Sequence, residues 1–257
     1  MPQFVKRIPA GRPGMSRLEA AGLQWLGECG ATVPQVVSFD EGTLVLEWVD
    51  EVAATAGAAR AFGAQLARVH RRPAPPFGSP PPGTGARSGW VGQLPVPFGE
   101  HESWPQHYVE DRLRPAAAAA IASGGLTNAQ DDAISGLCDL LLSDPEVIAG
   151  PATPPAPIHG DLWSGNVLWQ PTGAVLVDPA AVAGHPETDL AMLHLFGLPH
   201  LAEVVAGYES VRPLATGWQR RIALHQVFPL LVHAALFGGH YGAAATRAAT
   251  QATSIIT

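Results

Sequence analysis

The chain has 257 residues, of which 47% are hydrophobic and 14% are charged, and this composition favours a folded protein with a buried core over a disordered one. Its 15 basic and 22 acidic residues give a formal net charge of −7 without any dense run of lysine or arginine. A nucleic-acid partner is therefore disfavoured.

The first fifty residues predict a small unit of strands and one helix. Gln3–Arg7 is a short candidate strand, and residues 16–28 have helical spacing of apolar side chains, with Ser16 as the predicted N-cap. Residues 33–39 and 44–49 then predict two strands joined by an Asp-Glu-Gly turn. The order strand, helix, hairpin is typical of an α+β unit.

The rest of the chain is predicted to be mainly helical. Residues 71–89 are rich in proline and glycine and predict a loop. Pro115 is expected to bend or restart the helix that contains it. From residue 188 onward the pattern is mostly helical. The predicted helices are 53–70, 104–122 and 131–142, and the predicted strand pair is 167–170 with 174–178.

The sequence gives no sign of a membrane span or of a disulfide framework. The longest apolar run, residues 227–237, is shorter than the roughly 20 residues that cross a bilayer. The N-terminus lacks a signal-peptide pattern. Cys29 and Cys138 are far apart, which predicts reduced thiols. We expect a soluble, cytoplasmic protein without a membrane partner.

The segment from His159 to Asn166 carries the most informative spacing. Four residues separate Asp161 from Asn166, and Asp178 follows after a short strand pair. This is the H-x-D-x4-N spacing of a kinase catalytic loop. The alternative is that Asp161 and Asn166 are ordinary turn residues, which are common in such loops.

Phosphoryl transfer gives a chemical reason for this spacing. The reaction needs alignment of the reacting groups and neutralisation of charge on the transferred oxygens. Asp161 would orient the acceptor hydroxyl and take its proton. Asn166 and Asp178 would hold Mg²⁺, a hard cation that prefers oxygen ligands. His159 would support the loop.

Further motifs accompany the catalytic segment. They are HGDLWSGN at 159–166, DPA at 178–180, GHPETDLAM at 184–192, LFG at 195–197, Trp104 with Glu110, Arg112, Leu113 and Pro115, and LFG at 236–238 with Tyr241. Together they resemble the fructosamine kinase and ketosamine kinase-like family, which is related to aminoglycoside phosphotransferases, choline kinases and other protein-kinase-like enzymes. In the motif led by Trp104, His107 replaces the family's usual aromatic residue.

The resemblance implies an α+β, protein-kinase-like, two-lobed fold. A truncated N-terminal β lobe would cover residues 1–50 and bind the nucleotide, and a mainly helical C-terminal lobe would cover residues 51–257. Lys6, paired with Glu19, would contact the phosphates and complete the catalytic group. The backbone of Glu47 and Val49 would bind adenine.

Two departures from the family pattern leave questions open. Only five residues precede Lys6, so the Gly-rich loop over the phosphates is missing, through a late start, truncation or loss, and a sheet edge should be exposed. Residues 181–183 are Ala-Val-Ala where the family often has tyrosines, which leaves the acceptor open.

Other polar residues receive supporting roles. Asp189 is predicted to accept hydrogen bonds from the catalytic-loop backbone. His185 and Glu187 are equally compatible with an acceptor contact and with a plain loop role. The three histidines of the apolar C-terminal stretch are predicted to be satisfied helix residues; they are His225, His233 and His240.

The sequence therefore predicts an enzyme that uses ATP and Mg²⁺ to phosphorylate a hydroxyl of a fructosamine- or ribulosamine-type adduct, on a small molecule or on a protein. Two alternatives remain: a related kinase with an aminoglycoside or choline-type acceptor, and a nucleotide-binding pseudokinase without turnover. The oligomeric state is open.

Overall fold

The computed structural model of the protein describes residues 2–254. The strands are β1 Gln3–Arg7, β2 Val36–Phe39, β3 Thr43–Glu47, β4 Ser88–Val91, β5 Leu94–Pro97, β6 Ala156–Ile158, β7 Val167–Gln170, β8 Gly173–Leu176 and β9 Val182–Gly184. The helices are α1 Met15–Glu28, α2 Ala56–Val69, α3 Trp104–His107, a π-helical segment Tyr108–Leu113, α4 Arg114–Ala122, α5 Asn128–Ser143, α6 Pro145–Ala149, α7 Pro186–Leu195, α8 Leu201–Glu209, α9 Trp218–Phe237 and α10 Tyr241–Thr253.

The N-terminal unit is a three-stranded antiparallel sheet with strand order β1–β3–β2 and helix α1 packed on it. Leu23 of α1 is fully buried and packs with Leu44 and Leu46 of β3. The predicted N-cap at Ser16 is wrong, because α1 begins at Met15 after a left-handed glycine. The Ser16 hydroxyl instead donates to the carbonyl of Asp40, which fixes the helix against the hairpin.

The helix predicted over 104–122 is continuous but not uniform. It opens as α3, passes through the π-helical segment and continues as α4. Pro115 is the second residue of α4, so a regular α-helix restarts at the proline, one of the two outcomes predicted for it. A proline within a helix lacks the backbone N–H, and its ring crowds the carbonyl of the residue four positions earlier, here Asp111 in the π-helical segment, which accounts for the irregular turn before it.

Several short elements lie where none was predicted. They are the hairpin β4–β5, helix α6, and strands β6 and β9, which pair antiparallel with each other. The β5 sequence Leu-Pro-Val-Pro lacks two backbone donors, which is tolerated because β5 pairs only with β4. Strand β8 ends at Leu176, two residues before the predicted end.

Two hydrophobic clusters form the core of the larger, helical part. One surrounds α9, and the other surrounds α2 and α8. Helices α2 and α8 approach closely through glycine: a Cβ at Gly63 would lie 1.9 Å from the Val204 carbonyl oxygen, and one at Gly207 would lie 2.0 Å from that of Arg60. Among the described residues, no helix is long and apolar enough to cross a membrane.

Candidate active site

The loop between β6 and β7 carries the predicted catalytic segment, and its shape depends on one glycine. Gly160 has φ +79°, and a Cβ there would lie 2.3 Å from the Ala180 carbonyl oxygen. The backbone N–H groups of His159 and Gly160 donate to the two carboxylate oxygens of Asp189, at 2.8 and 2.9 Å. The predicted support role of Asp189 is therefore confirmed.

Asp189 is also held by a residue that sequence reasoning missed. His70 Nε2 lies 3.1 Å from Asp189 Oδ2, and its Nδ1 contacts the Tyr208 hydroxyl at 3.0 Å. Burial alone would raise the pKa of Asp189, but the hydrogen bonds from His70 and His159 hold that pKa below its usual value. No local pattern links positions 70 and 189, since they are brought together only by helix packing.

His159 fixes the next turn of the loop through both ring nitrogens. Its Nε2 donates to the Val177 carbonyl at 2.9 Å, and its Nδ1 accepts from the backbone N–H of Asp161 at 3.3 Å. The Asn166 amide nitrogen donates to the Asp161 carbonyl at 2.8 Å. The amide oxygen of Asn166 is thereby left as an acceptor.

The Asp161 carboxyl lies in a strongly negative, buried setting. Burial raises its pKa to about 6, the charges of Asp178 and Asp189 act in the same direction, and Asn166 and Lys6 oppose them. Asp161 therefore titrates close to neutral pH, which is the range that suits a general base.

Lys6 connects the N-terminal sheet to this loop. Its ammonium lies 2.9 and 2.8 Å from the two Glu19 oxygens and 3.1 Å from Asp178 Oδ1. Burial lowers the pKa of Lys6, but the two carboxylates outweigh it and raise that pKa overall. Burial raises the pKa of Glu19 above its usual value. The pairing of Lys6 with Glu19 is present, and its catalytic role stays a prediction.

Asp178 and Asn166 offer oxygen ligands that fit a magnesium ion. Asp178 has φ +55°, an uncommon left-handed conformation for a non-glycine residue, and its side chain is 44% exposed. The Lys6 ammonium beside Asp178 marks a position where positive charge is favoured. Contacts and charges thus link Lys6, Asp161, Asn166 and Asp178 into one connected group, and the binding of a metal ion by Asn166 and Asp178 stays a prediction.

The predicted adenine contacts lie at the far end of β3. Glu47 is half-buried and opposite Gln3 of β1, and its backbone N–H donates to the Gln35 carbonyl at 2.9 Å. Val49 is half-buried in the segment that leads to α2. Glu47 is thus on the same sheet as Lys6 and Val49 follows two residues after that strand ends, and the role of both in binding adenine stays a prediction.

A cavity of about 260 Å³ opens beside Asp161 and is mainly aromatic and apolar. Sequence reasoning assigned no role to its walls, although the two Leu-Phe-Gly motifs supply Phe196 and Phe237. The rings of Trp163 and Phe196 lie 6.2 Å apart, and those of Phe196 and His233 lie 4.9 Å apart.

Glu187 forms a buried ion pair with Arg221. Arg221 donates to its two oxygens at 2.8 and 2.6 Å. Burial opposes ionisation, but Arg221 and His225 lower the pKa of Glu187 to about 2. The prediction of a satisfied His225 is wrong at Nε2, which has no hydrogen-bond partner in the described part of the chain and lies 3.6 Å from Glu187.

Comparison with known proteins matches the chain along most of its length. The sequence pattern of the family described as "Fructosamine kinase" matches residues 1–254. A "Probable ketoamine kinase" of Thermus thermophilus is 34% identical over 249 residues, which cover 95% of this chain and 85% of the relative.

Solved structures agree with this match. The "putative fructosamine-3-kinase" of Thermobifida fusca is 46% identical with a TM-score of 0.90, over 98% of this chain and 86% of that one. An aminoglycoside phosphotransferase, APH(2")-IIa in its gentamicin complex, has a TM-score of 0.61 at 13% identity, over 98% of this chain and 84% of that one. This second likeness concerns the fold alone, and it confirms the predicted α+β, protein-kinase-like architecture.

Proposed function

The chain belongs to the fructosamine kinase family and is a phosphotransferase that acts on a sugar hydroxyl, and we propose that it transfers the γ-phosphoryl group of ATP to a fructosamine- or ribulosamine-type adduct. The observation that carries this proposal is the connected group of Lys6, Asp161, Asn166 and Asp178 beside an aromatic cavity. The group supplies charge and alignment, and the cavity supplies room for the acceptor.

Asp161 acts as the base in this proposal. With a pKa of about 6, most of its carboxyl is ionised at neutral pH, so it can accept a hydrogen bond from the acceptor hydroxyl. As the hydroxyl oxygen attacks the γ-phosphorus of ATP, its proton passes to Asp161, and the bond from that phosphorus to the β,γ-bridging oxygen breaks, so that ADP leaves with this oxygen. The loop is braced by Asp189 and His159, and this bracing limits misalignment of the carboxylate.

Lys6 and the sheet position the nucleotide. The Glu19 carboxylate holds the Lys6 ammonium in place, and the ammonium would contact phosphate oxygens. The backbone at Glu47 and Val49 would bind adenine. This assignment is supported by the position of both residues at the end of the strand that pairs with the Lys6 strand.

The magnesium ion would be held by Asn166 and Asp178. When bound, it supplies positive charge that neutralises the phosphate oxygens. Asn166 presents its amide oxygen because its nitrogen is engaged by the Asp161 carbonyl. Asp178 would then bind the magnesium ion in place of the Lys6 ammonium.

The cavity beside Asp161 would receive the sugar-amine adduct. Its aromatic walls suit the carbon skeleton of a sugar or of the attached amine, since binding sites are mainly apolar with a few polar groups. His233 donates from Nδ1 to the Pro229 carbonyl at 2.7 Å. Its Nε2 is therefore the acceptor nitrogen of the ring and can receive a hydrogen bond from a sugar hydroxyl.

Substitution of Asp161 tests the proposal. We expect Asp161→Asn to abolish ATP-dependent phosphorylation of a fructosamine substrate while circular dichroism shows an unchanged fold. The exposed Asp139 on α5 provides the matched control, Asp139→Asn, which should keep full turnover. ATP consumption with a panel of ketosamines, aminoglycosides and choline is the readout.

Three results would contradict parts of the proposal. Retained turnover in Asp161→Asn would remove Asp161 as the base. Consumption of ATP only with an aminoglycoside or with choline would assign a different acceptor. Binding of Mg-ATP by calorimetry without turnover on any acceptor would indicate a pseudokinase.

A further inference from the structure

A cluster of two histidines and one aspartate lies outside the group around Asp161. His101 Nε2 and His107 Nδ1 both lie close to the same oxygen, Asp111 Oδ2, at 3.0 and 2.9 Å. The three ligand atoms lie within 4.8 Å of one another. His107 and Asp111 are largely buried and His101 is 15% exposed, so the cluster has one side open to solvent.

We propose that His101, His107 and Asp111 bind a divalent transition-metal ion, with zinc as the best match, and that the ion joins the loop before α3 to the π-helical segment. Imidazole and carboxylate ligands are typical of zinc and its neighbours in the periodic table, whereas magnesium prefers oxygen ligands only. A three-residue set leaves the fourth tetrahedral position to water, which can enter beside His101.

The distances are compatible with an ion at this position. Ligand atoms about 2.1 Å from a tetrahedral zinc ion lie about 3.4 Å apart. The observed separations of 2.9 and 3.0 Å therefore need to widen by only a few tenths of an ångström, about the movement that side-chain rotation provides. In the metal-free protein the same pairs hydrogen-bond to each other, and metal binding would replace the protons on these nitrogens.

Two glycines keep the space around the ligand atoms free of side chains. A Cβ at Gly78 would lie 2.7 Å from both Asp111 Oδ2 and His107 Nδ1. A Cβ at Gly99 would lie 2.4 Å from His101 Nε2. Any larger residue at these positions would intrude on the cluster, so the backbone is shaped around it.

The carboxylate of Glu110 lies close to His101, one of the three proposed ligands. Glu110 Oε2 lies 3.8 Å from His101 Nδ1, on the side of the ring away from Asp111. At this distance the two groups are not hydrogen-bonded, but the negative charge of Glu110 adds to that of Asp111 in favouring a bound cation.

The neighbouring cluster of His185, Glu187 and His225 does not support the same inference. Both oxygens of Glu187 are held by Arg221, whose positive charge lies where a metal would have to bind. His185 Nδ1 already accepts the backbone N–H of Glu187 at 3.1 Å. At the His101 cluster the Arg112 guanidinium is near, but it donates to the backbone carbonyls of Pro97 and Asp111, at 2.8 and 3.1 Å, and lies over the Phe228 ring instead of binding the Asp111 carboxylate oxygens.

The test uses the full chain without nucleotide and in excess Mg²⁺, so that sites made only of oxygen ligands are filled. We expect the wild type to bind one equivalent of Co²⁺ with the visible absorption band of tetrahedral nitrogen and oxygen ligation. Zn²⁺ should displace the Co²⁺ and raise the Tm by about 5 °C at saturation. His101→Asn should lower Zn²⁺ affinity at least tenfold.

Matched variants show whether the metal ion binds at this cluster or at another histidine of the protein. His240→Asn, at an exposed histidine, should bind Co²⁺ as the wild type does. Asp111→Asn should lose the Co²⁺ absorption band. If that variant fails to fold, His101→Asn, at a partly exposed position, still tests the proposal. Absence of a Co²⁺ band and of a Zn²⁺-dependent Tm shift in the wild type would overturn the proposal, as would an unchanged band in His101→Asn.

Discussion

At the scale of single residues, the raised pKa of Asp161 predicts an acid limb in the activity profile. Only the ionised carboxylate can accept the hydroxyl proton, so kcat/KM should be level above about pH 6 and fall about tenfold for each pH unit below it. Turnover measured from pH 4.5 to 8 checks this, with ATP affinity measured at each pH to remove the titration of the nucleotide. A flat profile across pH 6 would contradict it.

Glu187 predicts how stability responds to acid. Its pKa is lowered from 4.5 to about 2, so its stabilisation is complete above about pH 4.5 and is lost as the pH falls towards 2. That shift corresponds to about 3 kcal/mol. We expect Glu187→Gln to lower the free energy of unfolding by about this amount at pH 7, because a neutral amide cannot pair with the charge of Arg221.

Urea unfolding at pH 7, 4 and 3 measures this effect. The difference between wild type and Glu187→Gln should shrink as the pH falls below about 4.5, because the carboxyl is then protonated in the unfolded chain while the folded protein keeps it ionised down to about pH 2. Glu209→Gln, at an exposed position on α8, serves as the control and should change stability little at any of these pH values. An equal deficit at pH 7 and pH 3 would show that the ion pair is not the cause.

The candidate site could be predicted where its residues are close in sequence. Asp161, Asn166 and Asp178 lie within one loop and hairpin, so their spacing in the sequence indicates that they lie near one another in the structure. His70 meets Asp189 across 119 positions, and nothing local in either segment indicates the contact. The hydrogen bonding of His225 Nε2 was predicted wrongly for the same reason, because the partners of this nitrogen depend on which face of α9 packs against α7.

At the scale of elements, the contact of α2 with α8 predicts opposite effects for two alanine substitutions in one helix. Gly63→Ala forces a Cβ against the Val204 carbonyl and should lower stability by about 2 kcal/mol or more. Gly57→Ala, in the same helix with open space around it, should raise stability by about 0.5–1 kcal/mol. Thermal and urea unfolding of both variants checks this, and a stable Gly63→Ala protein would disprove the close approach.

Helices α1, α2 and α5 and the helical stretch 104–122 were predicted within a few residues because their apolar spacing is strong over ten positions or more, whereas the five-residue α6 was missed. The hairpin β4–β5 was missed because its prolines favour a loop, and β9 was missed because three residues carry too little pattern. The π-helical segment has no sequence period of its own, so its residues fit an ordinary helix pattern equally well.

At the scale of the whole molecule, Lys6 links the sheet to the larger helical part, which predicts stabilisation by nucleotide. Mg-ATP at about one hundred times its Kd should raise the Tm by about 5–10 °C, because it binds only the folded protein. Lys6→Met should lose most of this shift. Arg7→Met, at the next and exposed position of β1, should keep it.

Differential scanning fluorimetry with and without Mg-ATP measures these shifts for each variant against its own ligand-free Tm. Comparing shifts removes any loss of stability that the substitution causes by itself. If Lys6→Met responded to Mg-ATP as fully as the wild type, Lys6 would not position the phosphates. The division of the chain into lobes at residue 50 stays a prediction.

Lys6 is the only lysine among the 257 residues, and its ammonium is enclosed by Glu19 and Asp178. Reducing sugars condense with neutral amines, and a raised pKa keeps this amine in its unreactive, charged form. A protein proposed to process sugar adducts of amines therefore presents glucose or ribose with no readily glycated side chain of its own. We expect the Lys6 side chain to resist glycation during prolonged exposure to such sugars.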